Sequence, residues 1–259
     1  MDTLLLAIEN RTATVTLNRP EVRNAFNETM IAELTDVFRT LGVHDGVRAI
    51  VLAANGPAFC AGADLNWMKK MAAYTYEENR ADAAQLAAML KTIYACPKPV
   101  VAKVQGDCYA GGMGLVAACD IAVSSEAAQF CLSEVKLGLI PATISPYVIS
   151  AIGERAARRY FLTAERFSAQ EAHRIGFVHE VVPAEALDAA CGEIVNALVN
   201  NSPNAVKEAK RLVQDVAGRE LSDALIADTA KRIADIRSSE EGKEGVQSFL
   251  EKRKPGWLS

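Results

Sequence analysis

The sequence predicts a layered α/β core followed by a helical tail, and three observations carry that prediction. Short apolar runs of strand character alternate with segments of helical period through most of the chain. Two of those runs pass through small-residue loops straight into helices, the order expected of a core with strands and helices in separate layers. From about residue 200 onward strand signals cease and only helical periodicity remains. The division expected from this is a core over 1–200 and a helical C-terminal region over 201–259.

The elements follow in order. Residues 3–9 and 12–17 read as strands joined by a turn at Asn10-Arg11, and Asn18-Arg19-Pro20 ends the second. Apolar residues at helical spacing predict a helix over 28–41. Val47–Ala53 is a continuous apolar run, the pattern of a strand buried on both faces. After the Asn55-Gly56-Pro57 break comes a small-residue loop, FCAGADL, and then a helical stretch from about 65 to 95, punctuated by Pro97 and Pro99. Val100–Val104 reads as a strand, and the turn GDCYAGGMG opens a helix toward 118. Asp120–Ser124 and Gln129–Cys131 read as further strands. Helices fit 145–153, 154–161, 168–175, 184–200, 204–217 and 219–236. Neither low-complexity runs nor a clear internal repeat is present.

Composition narrows the function. Half of the 259 residues are apolar and charges of both signs are interspersed, so the chain is long and apolar enough to bury a large core. A formal net charge of −4 argues against a dedicated nucleic-acid binder. No apolar run is long enough to span a bilayer, and the N-terminus has neither a basic n-region nor transit-peptide character, so a cytosolic protein is expected. The six cysteines form no CxxC pair, and none of the three histidines lies at zinc-ligand spacing from them. Reduced thiols acting as small hydrophobes are expected, with no metal and no disulfide framework.

Chemistry concentrates in two loops. Phe59–Leu65 and Ala110–Gly114 each follow a strand and begin a helix, which places free backbone N–H groups at a helix N-terminus. Two such turns converging on one point would form an oxyanion hole from main chain alone, and small residues there let a carbonyl oxygen approach the backbone. Close packing is the ordinary alternative for either loop taken singly. Neither matches G-x-G-x-x-G, and the P-loop spacing from Gly106 to Gly111 lacks its following Gly-Lys-Ser/Thr.

Together these segments resemble the enoyl-CoA hydratase/isomerase (crotonase) superfamily over nearly the whole chain. The resemblance runs through NRPEVRNAFN from Asn18, FCAGADL, AGGMGLVAACDIA, AQFCLSEVKLGLIP and SFLEKRK. It implies a spiral of ββα turns with a helical C-terminal trimerisation region, and trimers or hexamers. It implies an acyl-CoA thioester as substrate, with coenzyme A part of the substrate and no separate cofactor. It places the N–H groups of Ala63 and Gly111 on the thioester oxygen. Ala61, Asp64, Leu65 and Asn66 would line the coenzyme A and acyl path, Arg23 and Ala25 would contact coenzyme A, and Phe249 and Lys252 would reach it, often in a neighbouring subunit. Phosphate groups attract cations, which suits Arg23 and Lys252, although solvated surface charge is the plain alternative.

Hydratases of this superfamily use two glutamates. The second is present here as Glu134, and Gly114 stands where the first would be. A partly buried Glu134 would have its pKa raised toward that of a working general base, and one such group could take a proton from water and return one to the α-carbon. The missing glutamate favours an isomerase, which needs only one base. A narrower resemblance over Phe130–Arg166 to bacterial 3-methylglutaconyl-CoA and isohexenylglutaconyl-CoA hydratases favours hydration of a branched, carboxylated enoyl-CoA, as in leucine or isoprenoid breakdown. In that reading Gly114 makes room for substrate bulk or for water. Lys69, Lys70, Arg155, Arg158 and Arg159 are candidate partners of a distal carboxylate, with helix-surface charge the alternative for each. A Δ3-Δ2 enoyl-CoA isomerase using Glu134 alone is the second reading, and a non-catalytic acyl-CoA or RNA-binding protein the third. Asp120 is expected to cap or pair within the core, Trp67 and Met68 to pack, and the histidines to be loop and surface residues.

Overall fold

The structure, a computed structural model, describes residues 1–258. Strands β1 (Leu4–Glu9) and β2 (Thr12–Leu17) form an antiparallel hairpin. Its two turn residues, Asn10 and Arg11, have φ of 48° and 65°, the left-handed pair that a tight hairpin matched to strand twist requires. Helix α1 (Glu28–Gly42) starts at Asn27, whose side chain accepts the Met30 N–H. Then come β3 (Ala49–Ala54), β4 (Ala58–Cys60), α2 (Leu65–Met71) and α3 (Tyr76–Tyr94). The next unit is β5 (Val100–Val104), β6 (Asp107–Tyr109) and α4 (Gly111–Ala118). A third is β7 (Ile121–Ser125), β8 (Gln129–Cys131), a 3-10 turn at Glu134–Leu137 and α5 (Ser145–Thr163). Strand β9 (Phe167–Ser168), α6 (Ala169–Arg174), β10 (Glu180–Val182) and α7 (Leu187–Asn200) close the core. The tail is α8 (Pro203–Val216), α9 (Asp223–Ser238) and α10 (Glu240–Leu250).

The strands sort into two sheets because each unit sends its first strand to one sheet and its second to the other. The larger sheet has the order β1-β2-β3-β5-β7-β10, parallel beyond the hairpin, and the smaller has β4-β6-β8-β9, parallel except for β9. This is a spiral of ββα turns. The inner strands of the larger sheet are covered on both faces, which explains the uninterrupted apolar run of β3. Phe26, Phe38, Phe59, Phe130 and Tyr160 are fully buried in the main core, while Val51, Ala53 and Val101 pack under Cys191 of α7. No helix among the described residues is long and apolar enough to cross a membrane.

Differences from the sequence reading are local. Strands β4 and β6 lie inside segments expected to be loops, because three residues carry too little periodicity to register. The helical stretch over 65–95 is two helices, separated where Thr75 and Glu78 build a reciprocal capping box at the start of α3. The expected junction between 153 and 154 is real, since Gly153 at φ 73° interrupts α5. Helix α8 is pinned to the core by Lys210, whose Nζ donates to Asp120 Oδ2 at 2.7 Å and to the Lys98 carbonyl at 3.2 Å. Asp120 also accepts the Val100 N–H, so it pairs within the core as expected.

Candidate active site

In parallel strands the C-terminal ends lie side by side, and ligands of α/β folds gather there. Ala63 follows β4, Gly111 follows β6 and Glu134 follows β8, so the topology brings all three to one edge of the smaller sheet.

The first loop is shaped by a single parallel bridge. Phe26 N–H donates to the Gly62 carbonyl and Asp64 N–H donates to the Phe26 carbonyl, both at 2.7 Å. In a parallel bridge the peptides flanking a residue are consumed, and that residue's own N–H and C=O point to the other side. Ala63 therefore turns its N–H away from Phe26. Gly62 has φ 93°, and a Cβ there would lie 3.0 Å from Ala110 Cβ and 4.0 Å from Gly111 N. The two loops thus touch, as the oxyanion-hole reading requires. Gly111 is the first residue of α4, and an N–H there has no intrahelical acceptor. Side chains are excluded from this turn: a Cβ on Gly111 would come within 2.5 Å of the Phe26 ring, and one on Gly112 within 2.8 Å of Cys60. Ala110, at φ 47° and ψ −121°, holds a backbone conformation that L-residues rarely adopt.

Glu134 opens the 3-10 turn that Gly138 closes at φ 71°. It is half-buried, and its Oε2 is buried with no hydrogen-bond partner. No ion pair among the described residues engages it. Burial pushes its pKa up, and its own backbone N–H offsets only part of this. An orphaned, desolvated carboxylate at the edge that holds two outward-facing N–H groups is suited to exchanging protons with a ligand.

Several expected residues have roles the sequence did not show. Asp64 is 5 % exposed and does not offer its carboxylate to a ligand path. Oδ2 accepts Arg19 Nη2 at 2.8 Å, and Oδ1 caps α2 by accepting the Asn66 and Trp67 N–H groups. Burial alone would raise its pKa, but Arg19 and the two backbone donors hold it low. Arg19 also donates to the Ala25 carbonyl, which ties Ala25 to the first loop. Arg23 contributes its carbonyl, accepting the Ala61 N–H at 3.0 Å, while its side chain is exposed. Arg19 and the fully buried Asn24, which donates to the Asn55 and Ala58 carbonyls, hold the first loop in place and were left without a role by the sequence reading. Their signal was the polar run NRPEVRN between a strand and a helix. Leu65 and Asn66 stand exposed at the start of α2 beside the hole.

One expectation is corrected. Gly114 does not open free space, because Ile144 takes it: a Cβ on Gly114 would lie 2.2 Å from Ile144 Cγ2. Phe249 is 82 % exposed, and α10 packs on α8 and α9, so this chain does not itself bring Phe249 or Lys252 to the loops. Of the candidate cations, Lys70 pairs with Glu28, Arg158 with Glu154 and Arg159 with Glu165, while Lys69 and Arg155 make no ion pair among the described residues. The six thiols are free, and burial raises the pKa of Cys60 to about 12. No cluster of metal-ligating side chains occurs among the described residues. The histidines bond backbone groups, as with His179 Nδ1, which accepts the Ala122 N–H. Trp67 packs and donates Nε1–H to Asp82.

Comparison with known proteins gives a consistent result. An enoyl-CoA hydratase of known structure from Shewanella pealeana is similar at 44 % identity and a TM-score of 0.96, covering 98 % of this chain and 96 % of its own. The Aspergillus fumigatus mevalonyl-coenzyme A hydratase sidH is 34 % identical over 94 % of this chain and 90 % of its own length. The Escherichia coli 2,3-dehydroadipyl-CoA hydratase is 32 % identical over 98 % of both. The family model described as enoyl-CoA hydratase/isomerase matches residues 7–259, and the chain belongs to that family.

Proposed function

We propose that this protein hydrates a 2-enoyl-CoA whose acyl chain is branched at the β-carbon and ends in a carboxylate, with Glu134 as the only general acid/base. The observation that carries the reading is the half-buried Glu134, with an unpartnered Oε2, at the sheet edge where the Ala63 and Gly111 loops touch. The thioester oxygen sits between the two N–H groups. Glu134 takes a proton from water as its oxygen bonds to the β-carbon, and the alkene electrons move onto the thioester oxygen. The preorganised N–H groups stabilise that enolate. The carboxylic acid then returns its proton to the α-carbon, on the face from which water was delivered. Relatives named for dehydroadipyl-CoA and mevalonyl-CoA support a branched or carboxylated acyl chain. Lys69, in the last turn of α2 and outside any ion pair among the described residues, is the cation we assign to the distal carboxylate. Trimers, in which a neighbour's Phe249 and Lys252 complete the coenzyme A site, belong to the same proposal.

The test is spectrophotometric. Pure protein with 3-methylglutaconyl-CoA should bleach the conjugated enoyl absorbance, and E134Q should not while still binding coenzyme A esters. A gain of that absorbance from a 3-enoyl-CoA, with no hydration, would replace this reading with the isomerase.

A further inference from the structure

Position 114 is closed by one side chain. Gly114 lies one turn after Gly111, about 5 Å along α4. A Cβ there would come 2.2 Å from Ile144 Cγ2 and 2.8 Å from Ile144 Cβ, whereas the next neighbour, Leu90 Cδ2, stands at an ordinary 3.6 Å. Ile144 is 2 % exposed and immediately precedes α5. The segment that presents Glu134 therefore also carries the plug, ten residues on in the sequence. Removing the Ile144 side chain would leave position 114 free of steric conflict.

We propose that Ile144 is a specificity-determining residue that keeps this a one-carboxylate site. It occupies the space into which a side chain at position 114 would project, so the first turn of α4 can offer no second carboxylate from that position. The incoming water is then held by Glu134 on one side only, and a substrate that supplies a polar group of its own near the β-carbon is favoured over a plain straight-chain enoyl-CoA. This rests on the reading of Glu134 as the acid/base.

Two measurements test it. In the wild-type background G114A should lower Tm by about 3 °C or more through overpacking. In the I144G background the same change should raise Tm by roughly 2 °C, because a helix interior prefers Ala to Gly. Equal shifts in the two backgrounds would overturn the steric pairing. If G114A alone cannot be purified but G114A/I144G can, the pairing stands. The second measurement compares G114E/I144G with I144G. The added carboxylate should raise kcat/KM for crotonyl-CoA, relative to 3-methylglutaconyl-CoA, by about tenfold or more, within the range that a general acid/base group contributes. The pH profile should gain a second ionisation. An unchanged ratio with an unchanged profile defeats the proposal. If the wild type hydrates neither substrate, the reading of Glu134 has failed, while the Tm cycle still decides the packing.

Discussion

Replacing Asp64 separates two jobs that its carboxylate performs at once. Oδ2 pairs with Arg19 at 2.8 Å, with the two side chains 18 % and 6 % exposed, and Oδ1 caps α2. D64N keeps a capping oxygen but turns an NH2 group toward the guanidinium, so it removes the ion pair and spares the cap. Breaking a fully buried pair from one side costs about 3–5 kcal/mol. Arg19 retains some access to water, which lowers the expectation for D64N to about 2–3 kcal/mol. D64A also loses the cap, adding about 1 kcal/mol. Urea unfolding at pH 7 gives both differences. The pH dependence has a definite sign. Asp64 is held below its ordinary 3.8 in the fold, so the ion pair stabilises above that pH and its contribution is lost as pH falls through the folded pKa. The gap between wild type and D64N should therefore be constant from pH 7 to about 4 and shrink below. D64N as stable as wild type at pH 7 would show that the Arg19 pair does not hold the first loop.

Glu134 supports two further predictions. Since it must be ionised to act as a base and burial raises its pKa, kcat/KM should fall on the acid side with a midpoint above the ordinary 4.5, and E134Q should lose roughly 10²–10⁴-fold and show no such limb. A carboxyl whose pKa is raised by folding stabilises the fold below its unfolded pKa and loses that contribution as pH rises through the folded value. E134Q should accordingly melt higher than wild type at pH 7 and level with it near pH 4, and a lower Tm at pH 7 would refute a desolvated carboxylate. At the tail, K210M leaves the half-buried Asp120 without its cation and should cost about 2 kcal/mol in denaturant unfolding, with D120N/K210M recovering part of the loss.

What the sequence revealed and what it hid divide along physical lines. Helix α1 announced itself by apolar residues at helical spacing, because that signal is local, and the structure adds the cap at Asn27 and the break at Gly153. The convergence of the two glycine loops could be suspected from their small residues, but it depends on β4 and β6, whose three-residue runs have no readable period. The plug at Gly114 was not legible at all. A glycine in the sequence reports that a side chain is absent and not what fills the space, and Ile144 arrives from thirty residues away through the packing of α4 on α5. Asp64 was placed on a ligand path by the resemblance, and the partner that claims its carboxylate, Arg19, lies forty-five residues earlier where no local pattern points to it.

The site is assembled from groups that the fold leaves in conflict. Ala63 N–H faces away from its bridge, Gly111 N–H heads a helix with no acceptor, Ala110 sits at an unfavourable φ, and Glu134 holds a desolvated oxygen. Each feature costs folding free energy, and a ligand carbonyl or water can return the part owed to the unmet N–H groups and carboxylate oxygen. Such a constellation persists only if its surroundings over-determine it, and those surroundings are polar and local: Asn24 locked to two carbonyls, Arg19 to Asp64, and Phe26 to both sides of Ala63. Loosening that support should therefore impair catalysis by a different signature from removing Glu134. On the proposed mechanism a D64N enzyme should keep its base and its acid limb but lose alignment of one oxyanion donor, so kcat should fall with the pH midpoint unmoved, whereas E134Q should abolish the limb itself.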